Sequence, residues 1–130
     1  MKKLFLLSLV FLLYGCGYDL NSALRNGDVI DSHGNLENLY KLENFIVDMN
    51  SNKESSLRVT QFTEEGDPIL IDLSYDLYNG LLMEYDPSRD DYSNLEPFST
   101  QCHSIEHVVD GYYITGCNEI DDIRLVYYMN

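Results

Sequence analysis

The chain has 130 residues, and its 22 acidic side chains against eight basic ones give a formal charge of −14. Its length and 45% hydrophobic content suit one buried core, not two. So acidic a surface is repelled by nucleic acid and by anionic lipid headgroups, because no cationic patch exists to displace counterions. Nucleic-acid binding is set aside on that ground.

Met1-Lys2-Lys3 opens the chain, residues 4–13 are apolar except for Ser8, and Tyr14-Gly15-Cys16 follows. A charged start, an apolar middle and a small residue at the break make a secretory signal peptide. The run is too short for a membrane-spanning helix, which needs about 20 apolar residues. Leu13-Tyr14-Gly15-Cys16 resembles the bacterial lipobox, Leu-x-Gly/Ala-Cys. The resemblance implies that residues 1–15 are cleaved and that the sulfur of Cys16 carries a diacylglyceryl group. It also implies residence on the outer, extracytoplasmic face of the cell membrane. Two acyl chains give a stable anchor where one does not. Loss of Lys2 and Lys3 would take the charge to about −16.

Cysteine parity comes next. With Cys16 assigned to lipid, Cys102 and Cys117 remain, and an even remainder outside the cytoplasm is normally bridged. Residues 16–25 read as the lipidated cysteine and a tether, because 17–25 lack apolar periodicity. Nine extended residues reach about 30 Å at most. Residues 26–130 then form a single domain.

Within that domain, 26–35 are rich in turn formers, among them Ser32-His33-Gly34-Asn35. Asn35 is a fair N-cap, with Glu37 in the first turn. Leu36, Leu39, Leu42, Ile46 and Met49 recur at helical spacing, which predicts a helix over 36–50. The remainder reads as strands. Residues 57–63 come first, then the Glu64-to-Pro68 turn. Ile69, Ile71, Leu73 and Tyr75 next alternate with Asp72 and Ser74. Asn79-Gly80 predicts a tight hairpin, with 81–85 returning from it. Residues 86–98 form a loop, 100–109 and 112–117 flank Asp110-Gly111, and 123–128 close the sheet. The expected fold is α+β: one N-terminal amphipathic helix on an antiparallel sheet of about five strands. One conflict stands. A two-residue turn at Asp110-Gly111 sets Cys102 opposite Glu119, not Cys117, so a disulfide demands an irregular loop there.

Asn26-Gly27-Asp28-Val29-Ile30, His33-Gly34, Glu65-Gly66-Asp67-Pro68-Ile69, Asp72-Leu73, Tyr75-Asp76, Cys102 and Gly116-Cys117 form a second pattern. It resembles the small secreted lipoprotein family known as domain of unknown function 4362. The resemblance supports the lipoprotein address and the cysteine pair, and it implies no activity and no catalytic residues.

Three constellations carry candidate chemistry. His103-Ser104-Ile105-Glu106-His107 matches His-x-x-Glu-His, which on a helix chelates zinc while the glutamate activates water. On a strand the two histidines stand roughly 13 Å apart. Cys102 and Val108-Val109 favour a strand, and a chance match is the preferred reading. Asp86, Ser88, Asp90, Asp91 and Glu96 gather oxygen atoms in one loop, as weak calcium sites do. The EF-hand pattern fails, however, with Asp91 in place of its glycine and Pro97 in place of its last glutamate. Asp28, His33, Asp67 and Asp72 would share a site only if they met at one end of the sheet, and turn making explains them sufficiently. No Gly-x-Ser-x-Gly elbow, P-loop or Cys-x-x-Cys pair occurs, so neither a cofactor nor a catalytic residue is assigned. The expected role is a lipid-anchored binding or accessory module with an unassigned protein or small-ligand partner. The alternatives are a zinc hydrolase and a calcium-stabilised surface module.

Overall fold

The computed structural model describes residues 17–128. It begins with α1 (Leu20–Asn26), the hairpin β1 (Val29–Ser32) and β2 (Asn35–Glu37), and α2 (Leu39–Asn50). A long meander follows: β3 (Ser55–Phe62), β4 (Pro68–Asp76), β5 (Gly80–Asp86) and β6 (Phe98–Cys102). The chain then builds β7 (Ser104–Val108), β8 (Gly111–Thr115) and β9 (Ile123–Tyr127). The first six strands form one sheet in the order β2-β1-β3-β4-β5-β6, and the last three form a second. All pairs are antiparallel except β1 with β3, which α2 connects as a crossover. The class is α+β, as expected, but with two helices and two sheets instead of one of each.

Strand alternation decides which face is buried. Val59, Ile71, Leu73, Leu81 and Met83 point to one side of the large sheet, where Leu42, Phe45 and Met49 of α2 meet them. The small sheet adds Ile105, Ile114 and Leu125 to the same core. On the opposite side α1 covers part of β1 and β3, where Ala23, Ile30 and Phe62 form a second cluster with Tyr18. Residues 20–25, read from sequence as tether, therefore belong with Asn26 to a docked helix. Seven residues give too few apolar positions for periodicity to register, and packing on the sheet supplies what propensity does not.

The other corrections concern the turns. Asn35–Glu37 pairs with β1 across His33 and Gly34, both at positive φ, so the second helix starts at Leu39 and not at residue 36. Its N-cap position is held by Asn38. The β4–β5 turn is a three-residue loop, Leu77-Tyr78-Asn79, with Asp76 opposite Gly80. The Asp76 carboxylate accepts from the backbone of Asn79 and Tyr78. Those bonds hold it below the usual carboxylate range, the Asn79 backbone bond most strongly.

The disulfide conflict also resolves. Cys102 and Cys117 are bonded, and the β7–β8 pairing between them runs without a bulge. The turn is Val109-Asp110, one residue earlier than the sequence indicated, so Val108 faces Gly111 and Ser104 faces Thr115. Continuing that register sets Cys102 against Cys117. Gly111 is not a turn residue at all: a Cβ there would lie 2.0 Å from the Val126 carbonyl oxygen, with φ at 152°. Glycine is needed because β9 passes so close.

The bridge joins the end of the large sheet to the small one across a separation of 15 residues. Opening it frees about 3 kcal/mol of unfolded-chain entropy. Urea unfolding of Cys102→Ala/Cys117→Ala is expected to show that loss in stability with the secondary structure retained, and an unchanged midpoint would contradict it.

Candidate functional site

Asp28 immediately precedes β1 and is 2% exposed, an unusual place for a carboxylate. Three side chains donate to it: the Tyr18 hydroxyl, Asn26 Nδ2 at 2.6 Å and Thr60 Oγ1 at 2.8 Å. Its carbonyl accepts from Asn38 Nδ2 at 2.8 Å, and its N–H donates to Ala23. One residue thus ties together the N-terminal segment, α1, β1, β3 and the start of α2. Gly27 is the left-handed C-cap of α1 (φ 77°), and its carbonyl accepts from Lys41 Nζ at 2.6 Å. Burial, and then the bond it donates to Asp28, push the Tyr18 hydroxyl above its ordinary pKa.

Arg58 and Asp72 stand opposite each other on β3 and β4, on the same outward face. Arg58 Nε and Nη2 donate to the two carboxylate oxygens at 2.7 and 3.0 Å. That bidentate pairing keeps the guanidinium charged, and its carbon lies 5.6 Å from the Tyr18 ring centroid. Between these groups and the Asp28 cluster runs an open groove of about 610 Å³, completed by Ser56, Ser74 and Glu84. Its two cations are already engaged, by Asp72 and by the Gly27 carbonyl. What it offers a ligand is exposed hydroxyls and the Glu84 carboxylate. No histidine lines it, so a serine there has no adjacent imidazole base.

A second open groove of about 740 Å³ lies where β1 and β3 meet β9. Asp31, 8% exposed, accepts from the Gly34 and Tyr127 N–H groups at 2.9 and 2.8 Å, which joins the two sheets. Gln61 Nε2 donates to the Arg124 and Leu125 carbonyls across the same seam. His33 lines this groove, with Nε2 3.1 Å from the Thr63 carbonyl.

The four motif residues therefore do not converge. Asp28 and Asp72 line the first groove and His33 the second. Asp67 sits in the β3–β4 turn, accepting from the Asp91 N–H. The helix that the zinc motif requires is also not formed: 104–108 is strand β7. His107 stacks on Tyr112 with ring centroids 4.3 Å apart, while His103 lies in the crossing between sheets. Burial pushes Tyr112 up to about 12, aided by its bond with Tyr128. In the 86–98 loop the carboxylates turn back on the chain. Asp86 accepts from the Ser88 N–H, Asp90 from the Tyr92 N–H, and Ser88, Asp91 and Glu96 are exposed. Among the described residues, no three His, Cys, Asp or Glu side chains gather closely enough to hold a metal ion. Cys16 lies outside the described residues.

A family model described as a domain of unknown function, DUF4362, matches residues 26–110. The chain belongs to that family. No curated protein and no solved structure matches it. The DUF4362 match takes in Asn26, Asp28, Arg58, Thr60 and Asp72, while Tyr18 and Cys117 fall outside it. Sequence reasoning missed Tyr18, Thr60, Arg58 and Lys41. A threonine and an arginine on the outward face of a strand give no signal of their own, and Tyr18 sat in a stretch read as slack.

Replacing Asp28 with alanine leaves the buried Thr60 hydroxyl and the half-buried Tyr18 hydroxyl without their acceptor, while the exposed Asn26 can turn to water. The expected loss is about 3 kcal/mol, read as a lower urea midpoint, with Thr60→Val causing a smaller loss of about 1 kcal/mol. A midpoint in Asp28→Ala within error of the parent would contradict the network.

Proposed function

We propose that this protein is a lipid-anchored extracytoplasmic module that binds a partner at the membrane surface and catalyses no reaction. Leu13-Tyr14-Gly15-Cys16, directly after a lysine-led apolar run, carries the reading. The Cys102–Cys117 bridge supports it, because disulfides persist in oxidising compartments. No helix among the described residues is long and apolar enough to cross a membrane, so an acyl anchor is the route this reading assigns. The groove beside Asp28, with Glu84, Ser56 and Ser74 unengaged at its wall, is the surface assigned to recognition. Its exposed carboxylate and hydroxyls suit a polar or cationic group on a protein or small ligand.

Replacement of Cys16 by serine removes the sulfur that the diacylglyceryl group needs. In cells fed radiolabelled palmitate, Cys16→Ser is expected to lose the label and to leave the membrane fraction almost entirely. A variant that keeps its label and its membrane association would overturn the reading.

A further inference from the structure

The N-terminal helix is where the anchor and the fold meet. Only Gly17 separates Cys16 from Tyr18, and Tyr18 is already part of the body, packed with Ala23, Ile30 and Phe62 and bonded to Asp28. Two residues span about 7 Å when fully extended. The headgroup layer on each side of a bilayer is about 5–7 Å thick. An acylated Cys16 therefore holds Tyr18 no farther out than about the depth of the headgroup layer, so the surface next to Tyr18 lies against it.

That surface has the chemistry for it. Leu20 and Leu24, one helical turn apart, are 44% and 43% exposed, while Ala23 between them is fully buried against the sheet. In a chain with 22 acidic residues, α1 carries no carboxylate and ends its last turn with Arg25. Asp19, just before it, spends its carboxylate on the Ser22 N–H and hydroxyl as the N-cap. Residues 17–27 thus hold one carboxylate, Asp19, against one cation, Arg25, and are formally neutral. The acidic remainder of the surface is repelled by anionic lipid. An apolar ridge beside a cation is the pattern of helices that lie in the interfacial plane.

We propose that α1 is a membrane-contact element, with Leu20 and Leu24 seated in the headgroup layer of the bilayer that Cys16 is anchored in. The occupant of the ridge is lipid. The contact fixes how the domain stands. The α1 helix lies against the bilayer, and the groove beside Asp28 opens on the same side of the large sheet, next to the membrane surface. The small sheet, packed on the other side, lies farther away. The proposal rests on acylation of Cys16, and its test separates the two.

With Cys16 acylated and Cys102 bridged to Cys117, one introduced cysteine is the only free thiol. Full-length acylated Leu20→Cys, Leu24→Cys and Val109→Cys proteins are labelled with a nitrobenzoxadiazole dye. Val109 serves as the distant reference, at the 86% exposed tip of the β7–β8 turn. Each protein is mixed with phosphatidylethanolamine–phosphatidylglycerol vesicles, and flotation is measured first. Lipid-borne nitroxide is expected to quench the dye at positions 20 and 24 at least three-fold more than at 109, and aqueous iodide to do the reverse. Flotation with equal quenching at all three positions would overturn the orientation and leave the anchor standing. Absence of flotation would overturn both.

Discussion

A single buried carboxylate organises the N-terminal half of this protein. Asp28 is removed from water at the start of the first strand, where an unpaired charge would cost far more than any one contact returns. The chain meets that cost by bringing Tyr18, Asn26 and Thr60 to the two oxygens, while Asn38 takes the carbonyl. None of these donors is near in function and only Asn26 is near in sequence. Satisfying Asp28 is thus equivalent to placing α1, β1, β3 and the start of α2 relative to one another. Burying a charge in this way adds little net stability, but it penalises arrangements in which any donor is missing.

The same logic holds the two sheets together at the other end of β1. Asp31 accepts from the Tyr127 backbone, Gln61 donates to two carbonyls of β9, and the disulfide closes the far side. Strand β1, four residues long, therefore carries a carboxylate just before it and another within it, each serving a different junction.

The strands were legible in the sequence because period-2 alternation is local. Ile69 to Tyr75 declares its buried face without reference to anything else in the chain. The α+β class and the Cys102–Cys117 pairing followed from similarly local or countable features. Turns were misread wherever a residue had two possible reasons for being there. Gly111 looked like a turn glycine, yet it is required by the closeness of the Val126 carbonyl, a fact set 15 residues away. Asn35 looked like a helix cap, yet it pairs in a hairpin. The site was less legible still. Asp28 stood out as part of a family-like motif, but Tyr18, Thr60 and Arg58 matter only through where the fold carries them.

The central claim is that the folded body begins at Tyr18 and that α1 is docked on the sheet. Amide hydrogen exchange on the native full-length protein tests this directly at Ala23, Gly27 and Asp28, whose N–H groups bond to Asp19, Leu24 and Ala23. The account predicts exchange slower than an unstructured chain by about two orders of magnitude or more at all three. Exchange at unstructured-chain rates there, with β4 and β5 still protected, would show a loose tether and contradict it.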